Sequence, residues 1–262
     1  MARSSLHAER LARLMPDGKA VWIPIDHGVS SWPVAGLTDV EALINELGAG
    51  GADAIIAHKG VVSRYCDSTI PMLMHISAST IHGGENSSNK VLVGSTGEAV
   101  ERGASGVSVQ VNLGDLNEHL MLERLGLISE QCHHLDIPLL GMIYPRGPFL
   151  KAEGDSTMAI AHAVRLGWEL GCDAIKTSWP GSKEAFAEVV GAAPIPVLIA
   201  GGESSGDFTE VLRIVADAIE VGGAGVCMGR QIFEDENPRN CILALRGLIH
   251  DGLSFEEACE VL

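Results

Sequence analysis

Residues 138–178 read PLLGMIYPRGPFLKAEGDSTMAIAHAVRLGWELGCDAIKTS. The stretch opens on a continuous apolar run, 138–144, and closes on another, 174–178. Between them, 156–170 carries apolar residues at helical spacing and stops against Gly171, the usual left-handed exit from a helix. Strands that are apolar throughout, rather than alternating, are parallel strands covered by helices on both faces. The segment therefore predicts a strand, a crossover helix and a parallel neighbouring strand.

The same unit recurs outward in both directions. Runs at 21–26, 52–58, 71–77, 106–112, 196–202 and 225–230 bring the number of strands to eight, with helical patterns at 39–49, 97–103, 118–135, 182–190 and 209–221. Gly48, Gly103 and Gly222 are expected to end helices as Gly171 does. Eight such units in 262 residues predict a single-domain α/β protein, a (β/α)8 TIM barrel spanning 1–262. The competing architecture is a doubly wound open sheet, because only 60–70 separates the second and third runs and leaves room for a short helix or none. Residues 1–20 are expected to hold an amphipathic helix with Leu6, Leu11 and Leu14 on one face, and 237–262 one or two closing helices.

The chain has 34 acidic residues against 18 basic ones, a formal charge of −16. That balance argues against nucleic acid and against an anionic membrane surface as partners, since both need basic surface. An anionic small molecule is compatible only if cations gather in one pocket. No window approaches the roughly 18 apolar residues of a membrane span, and the N-terminal segment lacks the apolar core of a secretory signal. The six cysteines are widely spaced with no CxxC, so they are expected as buried thiols. These features predict a soluble, cytoplasmic protein.

In a barrel of this kind the chemistry sits at the C-terminal ends of the strands. Lys176 lies inside the apolar run DAIKTS, where burial would lower its pKa and make a free amine able to attack a carbonyl. The plainer alternative is a lysine that snorkels or pairs with Asp26. Asp26 and Tyr144 end the first and fifth runs and could carry protons. They could equally be a helix cap and a core tyrosine. Gly201 and Gly202 after the seventh run, with Ser204, and Gly229 and Arg230 after the eighth, suit a phosphate cradle of backbone N–H groups and a guanidinium. Plain tight turns would use the same glycines. His27 and Arg146 flank these positions as further binding candidates. His27, His58, His75 and His82 could in principle ligate zinc, but their spacing matches no compact motif, and no metal is assigned. The helix 118–135, with Leu120, Leu125, Ile128 and the pair His133 and His134, reads as ordinary amphipathic packing.

IPIDHGVS, AHKG, SASTIHGGENSSNKVLVGS, VNLG, MIYPRG, DAIKTSWPG and CMGRQIF, in this order, resemble the class I aldolases of the archaeal fructose-bisphosphate aldolase type, and within them the branch that makes 2-amino-3,7-dideoxy-D-threo-hept-6-ulosonate and its relatives in aminohydroxybenzoate synthesis. The resemblance runs from about residue 21 to 238. It implies a Schiff base on Lys176, proton transfer by Asp26 and Tyr144, and phosphate binding at Gly201, Gly202, Gly229 and Arg230. It further implies small phosphorylated ketone and aldehyde substrates, no cofactor, and a ring-type homo-oligomer. Gln110 stands where the family usually has His, and Trp32-Pro33 and Trp179-Pro180 also depart from its pattern. The substrates implied are dihydroxyacetone phosphate or a deoxyketohexose phosphate with L-aspartate 4-semialdehyde. Fructose-1,6-bisphosphate cleavage, a coenzyme A-dependent thiolase-like reaction, zinc hydrolysis and non-catalytic phosphosugar binding are the competing functions.

Overall fold

The computed structural model describes residues 4–151, 156–202 and 207–262. Eight parallel strands close into a barrel: β1 Ala20–Pro24, β2 Ala54–Ala57, β3 Met72–His75, β4 Gly106–Leu113, β5 Leu139–Pro145, β6 Ala174–Thr177, β7 Val197–Ala200 and β8 Gly225–Cys227. Each pairs with its neighbours in sequence, and β1 closes the ring against β8. The open-sheet alternative is thereby excluded. The narrow second crossover is solved by a helix of six residues, Lys59–Arg64.

Alternation along the strands divides the core in two. One set, including Val21, Ile23, Ile55, Val107 and Ile199, faces outward and is covered by the helices. The other, including Trp22, Ile56, Leu73, Leu140, Met142 and Leu198, fills the barrel. Leu14 and Met15 join that inner set, so the N-terminal helix Ser5–Leu14 plugs the barrel floor. The buried Trp22 Nε1–H donates to the Leu14 carbonyl at 2.8 Å and fixes the plug. The inward face keeps the expected Leu11 and Leu14 but not Leu6. Leu6 is exposed and His7 is buried, its Nε2 3.1 Å from Asp173.

Helix ends follow capping chemistry. Asp39, Ser95, Ser156 and Ser182 each accept from a backbone N–H of the first turn. Gly103, Gly171 and Gly222 adopt positive φ just past their helices, as expected. Gly48 does not end its helix. The helix continues to Gly50, and Gly51 takes the left-handed position. Leu120 is only partly buried, the inner stripe of Glu118–Leu135 being Met121, Leu125, Ile128 and Cys132. Helices Pro238–Arg246 and Phe255–Cys259, joined by a π turn at Gly247–Asp251, complete the chain. Among the described residues the cysteines form no disulfide; four are buried, but Cys66 is exposed.

Candidate active site

Register sets the site. Lys176 pairs with Met142 on β5 and Leu198 on β7, and Met142 in turn pairs with Gln110 on β4. The period of two places Tyr144 on the same inner face, one layer nearer the C-terminal mouth. A cavity of about 600 Å³ opens there, with Lys176 and Met142 in its wall beside Tyr144 and Asp26.

Lys176 is buried and faces the Tyr144 hydroxyl and the Cys227 thiol, with Asp26 close enough to act on its charge. Burial alone would lower its pKa, as the sequence suggested. The neighbours reverse the sign: against desolvation, Cys227, Tyr144 and Asp26 hold it above the ordinary lysine value. Burial pushes the Cys227 thiol up to about 11 and also raises Tyr144. Both are therefore neutral near pH 7, and Asp26 is the formal anion facing an ammonium. The carboxylate holds the resting lysine as an ammonium and is placed to receive its proton once the nitrogen begins to bond to carbon.

Asp26 lies two residues past the end of β1. It occupies the cap position of the short helix His27–Ser30, yet its side chain makes no capping bond. Its carboxylate instead lies 3.7 Å from His27 Nδ1 and 3.7 Å from His75 Nε2. Desolvation would raise its pKa, but His75, His27, Lys176 and His58 outweigh that and hold it at about 2. His75 is buried, in 2.8 Å contact with Ser108 Oγ through Nδ1, and desolvation drops it to about 3. Burial also lowers His27 and His58. Among the described residues no three His, Cys, Asp or Glu side chains gather as a metal-holding group, and His82 is exposed.

Gly201, Gly202, Gly229 and Arg230 all line the cavity. Gly202 has φ 68°, which favours glycine. A Cβ on Gly229 would lie 2.4 Å from the Pro24 carbonyl oxygen, so only glycine lets the β8 loop close on β1. The Gln231 Nε2 donates to the Gly201 carbonyl and ties the β7 and β8 loops into one unit. Arg230 begins the helix Arg230–Phe233 rather than ending a strand. Ser204, with Ser205 and Gly206, lies outside the described residues.

Arg146 also lines the cavity, its guanidinium carbon 4.0 Å from the centre of the Tyr144 ring. Trp179 lines the mouth and packs on Phe186 with ring centroids 5.3 Å apart. Trp32 does not line the cavity. It is 61% exposed, beside Gly28. Lys90, Ser30 and Cys227 are site residues that strand-end reading missed. Cys227 shares inward parity with Gly229 and could have been found by period two. Lys90 follows the polar run SSN outside any barrel strand, and nothing local marks it. Among the described residues, four cations, Lys90, Arg146, Lys176 and Arg230, face one carboxylate, Asp26, around this cavity. That is how a chain of charge −16 offers a cationic pocket.

A closed parallel barrel with a buried lysine beside a carboxylate and a phenol at its C-terminal mouth defines an enzyme of the class I aldolase kind. The chain belongs to the DeoC/LacD family aldolases, whose profile matches residues 20–235. It is 38% identical over 254 residues, 96% of this chain and 94% of the relative, to 2-amino-3,7-dideoxy-D-threo-hept-6-ulosonate synthase 1 of Archaeoglobus fulgidus. It is 36% identical over 251 residues, 94% of this chain and 90% of the relative, to 2-amino-4,5-dihydroxy-6-oxo-7-(phosphonooxy)heptanoate synthase of Streptomyces griseus. Among solved structures it is similar to an archaeal fructose 1,6-bisphosphate aldolase, at TM-score 0.86 and 27% identity, over 95% of this chain and 100% of that one. Another, at TM-score 0.85 and 26% identity over 94% of this chain and 99% of that one, holds its catalytic lysine covalently bound to the carbinolamine intermediate of the substrate. Family membership sets aside the non-catalytic phosphosugar-binding reading.

Proposed function

We propose that this aldolase forms a Schiff base on Lys176 with a phosphorylated ketone and joins it to L-aspartate 4-semialdehyde. The observation that carries the reading is the burial of Lys176 against Tyr144, Cys227 and Asp26 in the wall of a cation-lined cavity.

The donor phosphate rests on Gly201, Gly202, Gly229 and Arg230, with His27 beside them. The Lys176 nitrogen bonds to the donor ketone carbon as it gives up two protons, one to Asp26 and one to the ketone oxygen. The carbinolamine loses water, its leaving oxygen protonated by Tyr144, and an iminium remains. Tyr144, left as a phenolate, takes a proton from the adjacent carbon, that electron pair moves towards nitrogen, and an enamine and a neutral phenol result. The enamine carbon bonds to the acceptor aldehyde carbon, and the aldehyde oxygen takes its proton from Tyr144. Water then adds to the iminium, the C–N bond breaks and the free lysine returns.

Carbon accounting supports the acceptor. The product named for the Streptomyces griseus relative is a β-hydroxy ketone. Parted between its two hydroxylated carbons, it gives dihydroxyacetone phosphate and aspartate semialdehyde. The ulosonate named for the Archaeoglobus fulgidus relative shares the amino-acid end but is deoxy at the far carbon, as a deoxyketohexose phosphate donor would leave it. Either C7 product would serve as a precursor of an aromatic amino- or hydroxybenzoate. Fructose-1,6-bisphosphate cleavage is the second reading, favoured by the likeness to archaeal bisphosphate aldolases. Product analysis by mass and NMR separates them. Condensation of dihydroxyacetone phosphate or a deoxyketohexose phosphate with aspartate semialdehyde is expected to exceed bisphosphate cleavage in kcat/KM by about 10²-fold, a difference of roughly 2.7 kcal/mol. Preferential bisphosphate cleavage would overturn the acceptor assignment.

A further inference from the structure

Strand order makes β4 diametrically opposite β8. Arg230 stands after β8 and acts on His27. Lys90 and Arg146, near β4 and β5, act on one another. The cavity thus has two cationic poles with Lys176 between them. At the second pole no carboxylate forms an ion pair with Lys90 or Arg146 among the described residues. Lys59 and Lys183, by contrast, are paired with Glu98 and Glu220. Asp26 acts on Lys90 without forming an ion pair with it, and the two neighbouring cations leave positive charge for an anion to meet.

The backbone that delivers Lys90 is held from three sides. Asn112 Nδ2 donates to the Ser88 carbonyl at 2.6 Å, Ser88 Oγ donates to Asp115 at 2.5 Å, and Arg124 donates to the Lys90 carbonyl at 2.6 Å. This clamp also orients Gln110. A carbonyl can only accept, so Asn112 must turn its NH₂ to Ser88 and its oxygen to Gln110. Gln110 therefore donates through Nε2, at 2.9 Å. Its own carbonyl oxygen has no partner among the described residues, and Gln110 lines the cavity. Two cations and a neutral oxygen acceptor in one wall complement a carboxylate and an ammonium carried by the same molecule.

We propose that Lys90, with Arg146, takes the carboxylate of the acceptor aldehyde and that Gln110 accepts from its ammonium, so that this pole selects an α-amino-acid aldehyde. The assignment rests on the aldol reading above and adds the residues that choose the acceptor. The test compares L-aspartate 4-semialdehyde, succinate semialdehyde, D-glyceraldehyde 3-phosphate and neutral butanal as acceptors. Lys90→Met is expected to cut the kcat/KM preference for aspartate semialdehyde over butanal by about 20-fold or more, chiefly through KM. Lys90→Arg should restore most of that preference. Gln110→Leu should narrow the preference for aspartate semialdehyde over succinate semialdehyde, which lacks the ammonium. A parallel loss on all acceptors in Lys90→Met, an unchanged preference, or glyceraldehyde 3-phosphate as the favoured acceptor would overturn the assignment. Borohydride trapping of donor on the unmodified enzyme, without acceptor, checks the Schiff-base reading separately, and its failure would remove both.

Discussion

His75 places its Nε2 3.7 Å from the Asp26 carboxylate while its Nδ1 contacts Ser108 Oγ at 2.8 Å. The geometry suits one tautomer: Ser108 donates to Nδ1, and Nε2–H faces the anion. The ring is neutral in the folded protein and takes a proton only at about pH 3, whereas an unfolded histidine does so near 6.5. Between these values the unfolded chain binds more protons. Stability is therefore full above 6.5 and lost as pH falls towards 3. Asp26, held at about 2, keeps its own contribution until the pH drops below the unfolded value of 3.8. Urea denaturation from pH 7 to 4 should show stability falling by up to about 1.4 kcal/mol per pH unit for this one proton. His75→Gln should flatten the slope, with His27 and His58 supplying the remainder.

Tyr144 and Cys227 both face Lys176, but their expected roles differ. The thiol, pushed up to about 11 by burial, keeps its proton through the catalytic pH range. Tyr144 is the proposed proton carrier. Tyr144→Phe should lower kcat by about 10²- to 10⁴-fold, whereas Cys227→Ala should cost less than about tenfold, the loss of a packing contact. Steady-state kinetics on the two variants checks the contrast.

Arg230 is expected to bind the donor phosphate rather than take part in bond making. Arg230→Gln should raise KM for the phosphorylated ketone by about 10- to 100-fold, the weight of one charge-assisted contact. The kcat at saturation should change little, and inorganic phosphate should lose its competition with donor in the variant.

The barrel was legible because most of its eight strands are continuous apolar runs, as burial on both faces demands, although β4, GVSVQVNL, alternates. The gathering of Lys176, Asp26, Tyr144, Gly202 and Arg230 around one cavity was legible because they lie at or just past strand ends, where a barrel collects its chemistry. Lys90 was not, since the clamp that brings it to the cavity is built by Asn112, Asp115 and Arg124, residues 22 to 34 positions away in the chain. The sign of the Lys176 shift was misread for a related reason. Burial is visible in one strand, but the groups that oppose it arrive from β1, β5 and β8. Helix faces failed where a polar pair overrode hydrophobicity, as His7 with Asp173 displaced Leu6 from the inner side.

The most direct test of the account is borohydride reduction of the protein with dihydroxyacetone phosphate or a deoxyketohexose phosphate, followed by peptide mass analysis. A reduced donor adduct on the peptide carrying Lys176 is predicted, absent in a Lys176→Met variant that keeps its fold and loses turnover by more than about 10⁴-fold. Turnover of these donors with no adduct, or an adduct on another lysine with Lys176→Met still active, would contradict the account.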